Sequence, residues 1–167
     1  MSQRPGAKHR RRQSGERAPS EFEQRILDIS RVARVVAGGR RFSFRVALVA
    51  GNRKGEVGFG LGKAADTALA IDKAFRRARK NAIHIPLTAH DSVPSVASAK
   101  YGAAKVLIRP AAQGRGLAAG GAARIVLELG GVRNASAKIL SRSKNKINNA
   151  RVTIKALLGL RGPGRGS

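Results

Sequence analysis

The chain has 167 residues, of which 34 are Lys or Arg and only 9 are Asp or Glu, so its formal charge is +25. Folding needs no such imbalance, and repulsion between like charges opposes compaction, so the composition predicts a polyanionic partner. Cysteine is absent, which excludes disulfides, a thiol nucleophile and a cysteine-based zinc site. The three histidines are scattered, and no apolar run approaches the roughly 18 residues of a membrane span. We therefore expect no metal, no cofactor, no small-molecule substrate and no membrane partner, and a cytoplasmic location.

The first 23 residues are rich in Arg, Gly, Ser and Gln and contain the run Arg10, Arg11 and Arg12. They offer almost nothing to bury, which is typical of a disordered basic arm. Because the rest of the chain is also basic, we expect this arm to contact RNA. The alternative is a solvated tail without function.

A hairpin is predicted next, with strands over residues 26–37 and 41–50. Gly38 and Gly39 supply a turn, and Arg40 and Arg41 lie at its tip, where guanidinium groups can bind two phosphate oxygens at a time. Apolar residues recur at every second position of the second strand, which predicts that this strand is half-buried; they are Phe42, Phe44, Val46 and Leu48. The alternative is a solvated hairpin with two surface arginines.

A third strand is predicted over residues 56–62, after a turn that carries Arg53 and Lys54 at its tip. Its odd positions are apolar, whereas its even positions are glycine, so one face is bare and lets another backbone approach closely. Lys63 follows this glycine-rich stretch, as in a nucleotide-binding loop. The phosphate-loop pattern fails, however, because Val57 stands where a Gly is required and Ala64 follows the lysine.

Asp66 is predicted to cap a helix that ends near residue 82. Apolar residues at a 3-4-3-4 spacing predict the face that packs on the sheet; they are Ala68, Ile71, Phe75, Ala78 and Ala82. Basic residues lie on nearly the opposite side, and in the absence of acidic partners we favour phosphate binding over simple solvation there; they are Lys73, Arg76, Arg77 and Lys80. Residues 24–90 are thus predicted to form a domain of three antiparallel strands and one helix.

Residues 91–158 are predicted to form a second domain, with strands over 96–101, 105–109 and 135–141. A loop over 111–121 contains Gln113 and Arg115, and it exposes backbone N–H groups just before a helix over 122–129, which favours anions. A plain connection that needs positive φ is an equal alternative. Ser143 or Asn145 is predicted to cap a final helix. Its apolar stripe is predicted at Ile147, Ala150, Ile154, Leu157 and Leu158, and residues 159–167 are predicted to form a flexible tail.

Several segments together resemble the bacterial family of the fifth small-subunit ribosomal protein. The resemblance is carried by residues 31–44 (RVARVVAGGRRFSF), 57–64 (VGFGLGKA), 114–122 (GRGLAAGGA) and 131–132, in the family's order. It implies an α+β fold, in which a domain related to double-stranded-RNA-binding folds precedes an α+β two-layer sandwich domain. Two positions depart from the family: Arg115 stands where Thr is usual, and 141–143 (SRS) replaces a Gly-Ser turn.

The resemblance also implies a non-catalytic protein that binds small-subunit ribosomal RNA and contacts the fourth and eighth small-subunit proteins. Such a protein would lie near the neck and the entrance channel of messenger RNA, influence decoding accuracy, and place Arg40 and Arg41 near the spectinomycin site. From the cations and the family motifs together we predict an RNA-binding set. Its members are Arg31, Arg34, Gly38, Gly39, Arg40, Arg41, Phe42, Arg53, Lys54, Lys63, Arg76, Arg77, Lys80, Gln113, Arg115, Arg142 and Lys144.

Three other functions are alternatives to this one. A free-standing double-stranded-RNA-binding regulator would commonly carry lysines where Asp66 and Asp72 begin the first helix. An RNA-cleaving enzyme usually needs clustered carboxylates or a histidine pair, and no spacing groups the acids here; His90 and Asp91 also lack a predicted nucleophile. A DNA-compacting protein would bind DNA and RNA equally.

Overall fold

The computed structural model describes residues 21–160, so the predictions for residues 1–20 and 161–167 lie outside the described part of the chain. The described residues form two four-stranded sheets and three helices, which confirms the α+β class. Glu23 already begins the first strand, so the predicted arm is shortened at that residue. Leu160 is buried in the larger hydrophobic core, so its assignment to a flexible tail is corrected.

The first sheet contains strands β1 (Glu23–Val36), β2 (Gly39–Gly51), β3 (Glu56–Ala64) and β4 (Ile83–His84) in that order. All neighbours are antiparallel, and a two-residue turn joins β1 to β2, so the predicted hairpin is confirmed. Gly39 has a φ of 125°, which a residue with a side chain rarely adopts. The prediction of three strands missed β4, because two residues are too few to show an apolar alternation.

Helix α1 (Thr67–Lys80) lies directly on the glycine face of β3. A Cβ atom added at Gly58, Gly60 or Gly62 would overlap the carbonyl oxygens of Ala78, Ala74 and Ala70, respectively. The predicted close backbone approach is therefore present, with α1 as the approaching backbone.

The predicted buried stripe of α1 was wrong in part. The helix buries its alanines at positions 70, 74 and 78, whereas Ala68 is exposed and Ile71 and Phe75 lie at the margin of the contact. Only a methyl group fits where two backbones come this close, so the larger side chains lie beside the contact. The apolar spacing treated alanine and larger residues alike, but the glycine face of β3 accepts only small side chains.

The inner half of β2 is buried on both faces, so the prediction of a half-buried strand was wrong there. Val46, Leu48 and Ala50 pack against α1 in the smaller core, whereas Ala47 and Val49 belong to the larger core. The larger core also contains most buried residues of the second half of the chain, which therefore covers the second face of this strand.

The second sheet has the order β5 (Ala97–Tyr101), β6 (Ala104–Pro110), β8 (Ala135–Ile139) and β7 (Leu117–Ala119). The pairs β5–β6 and β6–β8 are antiparallel, and β7 runs parallel to β8. Strand β7 lies within the stretch that was predicted to be a loop. Its three residues gain their order from pairing with β8, which follows later in the chain.

Helices α2 (Gly121–Leu129) and α3 (Lys146–Leu158) complete the second half. Helix α3 buries Val152, Thr153 and Ala156, which lie outside the predicted stripe, whereas Leu158 is 62% exposed. The stripe prediction was therefore wrong at Leu158 and too narrow, because α3 packs against both α2 and the second sheet.

The turn between β2 and β3 joins the two halves of the chain. The amides of Arg53 and Gly55 donate to the carbonyl oxygens of Leu129 (2.9 Å) and Gly130 (3.1 Å) at the end of α2. A Cβ atom at Gly51 would overlap the Leu129 carbonyl oxygen, so the two backbones are in direct contact. With the larger core shared across this junction, the described residues form one packed body.

The two predicted helix caps have different outcomes. Asn145 caps α3, because its Oδ1 accepts hydrogen bonds from the amides of Ile147 (3.0 Å) and Asn148 (3.3 Å). Asp66 stands at the N-cap position of α1, but its side chain makes no capping hydrogen bond.

Asn145→Ala is expected to lower the free energy of unfolding by about 1 kcal/mol, because two amides of α3 lose their acceptor. Asp66→Ala is the matched control and should cost less, since it removes no capping bond and loses only the interaction of the carboxylate with the helix dipole and a long, exposed hydrogen bond from the Thr67 hydroxyl (3.4 Å). Urea denaturation would measure both variants. A larger loss for Asp66→Ala would contradict the capping assignment.

Candidate nucleic-acid interface

The outer part of the β1–β2 hairpin, residues 31–45, projects as a two-stranded ribbon whose residues 37–42 are all exposed. Successive residues of a strand point to opposite faces, so Arg40 and Arg41 serve different faces of this ribbon. Arg41 lies directly opposite Arg34 on one face, whereas Arg40 shares the other face with Phe42 and Arg31. The ribbon therefore presents arginine on both faces.

The two faces hold their arginines differently. The guanidinium carbon of Arg31 lies 3.7 Å from the centroid of the Phe42 ring, a cation–π contact that orients its side chain. Arg34 and Arg41 have no hydrogen-bond or ion-pair partner among residues 21–160. Like charges directly opposite each other destabilise a sheet, so this pair does not serve the stability of the fold. It suits an anion placed between the two guanidinium groups.

The face of Arg34 and Arg41 continues towards the second half of the chain. Arg45 lies opposite Lys63 on β3, and its Nε donates to Ser30 Oγ (3.1 Å). Next to Arg45, between β2 and the start of α3, lies a cleft of about 310 Å³. Its lining comprises Asp28, Arg45, Lys144, Asn145, Lys146 and Ile147.

One carboxylate partly neutralises the positive charge of this cleft, because Asp28 Oδ1 forms an ion pair with Lys146 Nζ (3.6 Å). The sequence prediction included Lys63 and Lys144 but missed Arg45 and Lys146. The alternation of β2 places Arg45 on the face of Arg41 and could have revealed it. The position of Lys146 depends on how α3 packs, which no local pattern shows.

The outer face of α1 is basic, as predicted: Lys73, Arg76, Arg77 and Lys80 are all exposed. Arg77 also has a structural contact, since its Nη1 donates to the carbonyl oxygen of Leu61 (3.2 Å) at the edge of β3. The other three cations of this face make no hydrogen bond or ion pair within residues 21–160, and their side chains are exposed to solvent.

The turn cations Arg53 and Lys54 are both exposed, but they are not equivalent. Arg53 pairs with Glu23, with Nε 2.7 Å from Oε2 and Nη2 3.0 Å from Oε1. This forked contact occupies the guanidinium face that a phosphate would use. Lys54 donates only its backbone amide, to Asn52 Oδ1 (2.8 Å), so its ammonium group is the freer of the two.

Gln113 and Arg115 are exposed in the loop that precedes β7, and Arg142 is exposed before α3. The loop around Arg115 does not lead straight into α2 as predicted, because β7 intervenes. Its backbone is partly committed, since the Gly116 amide donates to Asn134 Oδ1 (3.2 Å). Arg115 and Arg142 lie on separate loops.

A second basic cleft, of about 580 Å³, lies where β1, the β2–β3 turn and α2 meet. Four arginines line it together with Glu128, and the sequence prediction missed three of them; the missed residues are Arg25, Arg124 and Arg133. Arg25 Nη1 lies 3.4 Å from Glu128 Oε2, and Arg133 Nε lies 3.5 Å from Asp91 Oδ2. These residues are far apart in sequence, so no motif could have grouped them.

Asp91 has a structural role in its turn. Its φ is 52°, and its carbonyl oxygen accepts hydrogen bonds from the amides of Arg133 (2.8 Å) and Asn134 (3.2 Å). Within residues 21–160, no group of three or more His, Cys, Asp or Glu side chains could hold a metal ion. The same stretch contains no helix that is long and apolar enough to cross a membrane.

Comparison with known proteins agrees with this picture of a basic, two-part α+β chain. Residues 22–86 match the family model "Ribosomal protein S5, N-terminal domain", and residues 99–165 match "Ribosomal protein S5, C-terminal domain". These matches define a ribosomal protein, a structural component and not an enzyme.

Curated relatives extend the match over most of the chain. "Small ribosomal subunit protein uS5" of Prochlorococcus marinus (strain MIT 9303) is 46% identical over 147 residues, which cover 88% of this chain and 70% of that protein. The uS5 of Synechococcus elongatus is 48% identical, over 85% of this chain and 78% of its own. The uS5c of Guillardia theta is 46% identical, and the match covers 85% of this chain and 83% of that protein. The chain belongs to the ribosomal protein S5 family.

Proposed function

We propose that the chain is a constituent of the small ribosomal subunit in the cytoplasm, where it binds small-subunit ribosomal RNA and stabilises the RNA fold. The observation that carries the proposal is the opposed pair Arg34 and Arg41, which has no acidic partner among the described residues. Such a pair weakens the isolated hairpin and becomes favourable when a phosphate lies between the two guanidinium groups.

The mechanism is electrostatic and depends on the two-faced ribbon. Arg31 and Arg40 on one face, and Arg34 and Arg41 on the other, reach two RNA backbones at once. RNA helices that crowd together repel each other, and cations placed between them neutralise phosphates and release condensed counterions. Because side chains cannot read the deep major groove of RNA, recognition here is by backbone and shape.

The second group of contacts extends the same surface. Lys63, Arg45 and the cleft with Lys144 continue the Arg34–Arg41 face, so that a single RNA backbone can follow it from the ribbon to the start of α3. The exposed cations of α1, and those of the loops with Arg115 and Arg142, supply further phosphate contacts. Arg53 contributes less, because Glu23 already occupies its guanidinium group.

The finer location follows from the family resemblance of residues 38–42. We propose that the ribbon lies near the neck of the subunit, on the side where messenger RNA enters, and that its rigidity supports translational accuracy. The fourth and eighth small-subunit ribosomal proteins, and messenger RNA near the entrance channel, are the further partners that we propose.

Replacement of Arg40 and Arg41 together by Ala is expected to weaken binding to small-subunit ribosomal RNA. The slope of log affinity against log salt should fall by about one to two, because two phosphate contacts are lost. The matched control replaces both residues by Lys, which keeps the charge and should retain most of the slope while losing forked hydrogen bonds. Filter binding at several salt concentrations measures both.

An unchanged slope in the alanine variant would exclude the ribbon as a phosphate contact. Co-sedimentation with small ribosomal subunits separates a ribosomal constituent from a free RNA-binding regulator, which would remain with free RNA. Equal affinity for DNA and RNA would favour a DNA-compacting protein instead.

A further inference from the structure

A second kind of site lies away from the ribbon, at the junction of the two halves of the chain. It is a groove of about 330 Å³, which is large enough for one nucleotide but too small for a nucleic-acid helix. The groove is lined by residues of β3, β5 and α3 and by the C-cap residue of α1; they are Phe59, Asn81, Tyr101, Arg151, Ile154, Lys155 and Leu158.

The groove is built around one guanidinium group. The Cζ atom of Arg151 lies 5.3 Å from the centroid of the Phe59 ring and 5.5 Å from that of Tyr101. Its Nη1 donates to the Tyr101 hydroxyl (2.8 Å), which fixes the guanidinium plane relative to the phenol ring. Both distances are within the range of cation–π contacts, so Arg151 and Tyr101 form a pre-organised pair of flat surfaces.

The rest of the lining indicates the chemistry of a ligand. Tyr101 is 38% exposed and Leu158 is 62% exposed, so aromatic and aliphatic surface remains open to solvent. Asn81 brings an amide that can both donate and accept hydrogen bonds at the edge of a ring. Lys155 reaches the carbonyl oxygen of Lys100 (3.2 Å), and none of the described lining residues is acidic.

We propose that this groove binds a single unpaired nucleobase of RNA. The base stacks on the Tyr101 ring and the Arg151 guanidinium plane, and its backbone phosphate lies near Lys155. Aromatic rings and arginine planes are the surfaces on which splayed-out RNA bases stack. The proposal rests on the proposed RNA-binding function and adds a contact to the base, whereas the ribbon contacts phosphate.

Composition makes this site directly observable. Tyr101 is the only tyrosine in the chain and tryptophan is absent, so tyrosine emission reports on this groove alone. We expect a short unstructured oligoadenylate RNA to quench that emission saturably. Inorganic polyphosphate of equal length, which carries charge without bases, should leave it unchanged.

Two variants test the stacking surface by affinity for the same oligoadenylate. Tyr101→Ala should weaken binding about tenfold, the typical effect of losing one stacked base. Tyr101→Phe keeps the ring and should bind within about threefold of the parent protein, although the hydroxyl contact to Arg151 is lost. Circular dichroism verifies that both variants fold. Equal affinity of the parent and Tyr101→Ala would overturn the proposal.

The outcome can be separated from that of the ribbon. The variant with Arg40 and Arg41 replaced by Ala should still show the quenching, because the groove is intact. If the oligonucleotide leaves tyrosine emission unchanged while the ribbon variant shows a smaller slope of log affinity against log salt, the base site is wrong and the RNA-binding function stands. Emission that changes only when neighbouring ribosomal proteins are added would identify a protein contact and refute a base site.

Discussion

Gly60→Ala is expected to lower the free energy of unfolding by about 3 kcal/mol, the upper end of the usual cost of overpacking. The added methyl group would overlap the carbonyl oxygen of Ala74 and would also lie 2.7 Å from the amide nitrogen of Ala78. Both are backbone atoms in the middle of α1, so no side chain can rotate away. Relief requires the whole helix to lift from β3, which opens the smaller core. Thermal and urea denaturation measure the loss.

Gly121→Ala provides the matched control for this change. The glycine at position 121 is the first residue of α2, and nothing lies within 4 Å of an added Cβ atom there. Alanine is also a better helix former, so this variant should be as stable as the parent or slightly more stable. Gly60→Ala with the stability of the control would mean that α1 does not rest on the backbone of β3.

Leu127→Ala is expected to destabilise both halves of the chain together, by about 2 to 5 kcal/mol. Leu127 is fully buried on α2, in the core that also contains Ala47 and Val49 of β2 and Val57 of β3. A cavity in this shared core removes packing from the first sheet as well as from the second. We therefore expect the variant to unfold in a single transition, with its midpoint shifted to lower denaturant concentration for both sheets alike.

Hydrogen exchange read by mass spectrometry tests this expectation, because it reports on each strand. Amides of β2 and β3 should lose as much protection as those of β6 and β8. Faster exchange confined to the second sheet would contradict a shared core and indicate two independently stable units. Leu158→Ala is the control, since that side chain is 62% exposed and its removal should leave both sheets unaffected.

Much of the first half could be predicted from the sequence, because its determinants are local. Gly38 and Gly39 predicted the turn, alternation predicted β2, and the glycines of β3 predicted a close backbone contact. The arginines at the tip were likewise visible as a cluster. The individual RNA contacts remain predictions that the experiments above test.

The remaining features depend on residues that are distant in sequence. Whether Ala47 is exposed depends on α2, and β7 exists because β8 lies beside it. The 3-4-3-4 spacing misplaced the buried face of α1 because it treats all apolar residues alike, whereas the glycine face of β3 admits only alanine. The cleft around Arg124 and the groove around Arg151 draw on several separate elements, so no spacing pattern could reveal them.

Burial of β2 on both sides has a consequence for biosynthesis. During translation the first sheet leaves the exit tunnel before α2 has been made, so Ala47 and Val49 face water until Leu127 and Leu129 arrive. At the usual speed of synthesis this interval is on the order of several seconds. The nascent chain then exposes an apolar surface on a strongly cationic polypeptide, so we expect chaperones to bind it during this interval.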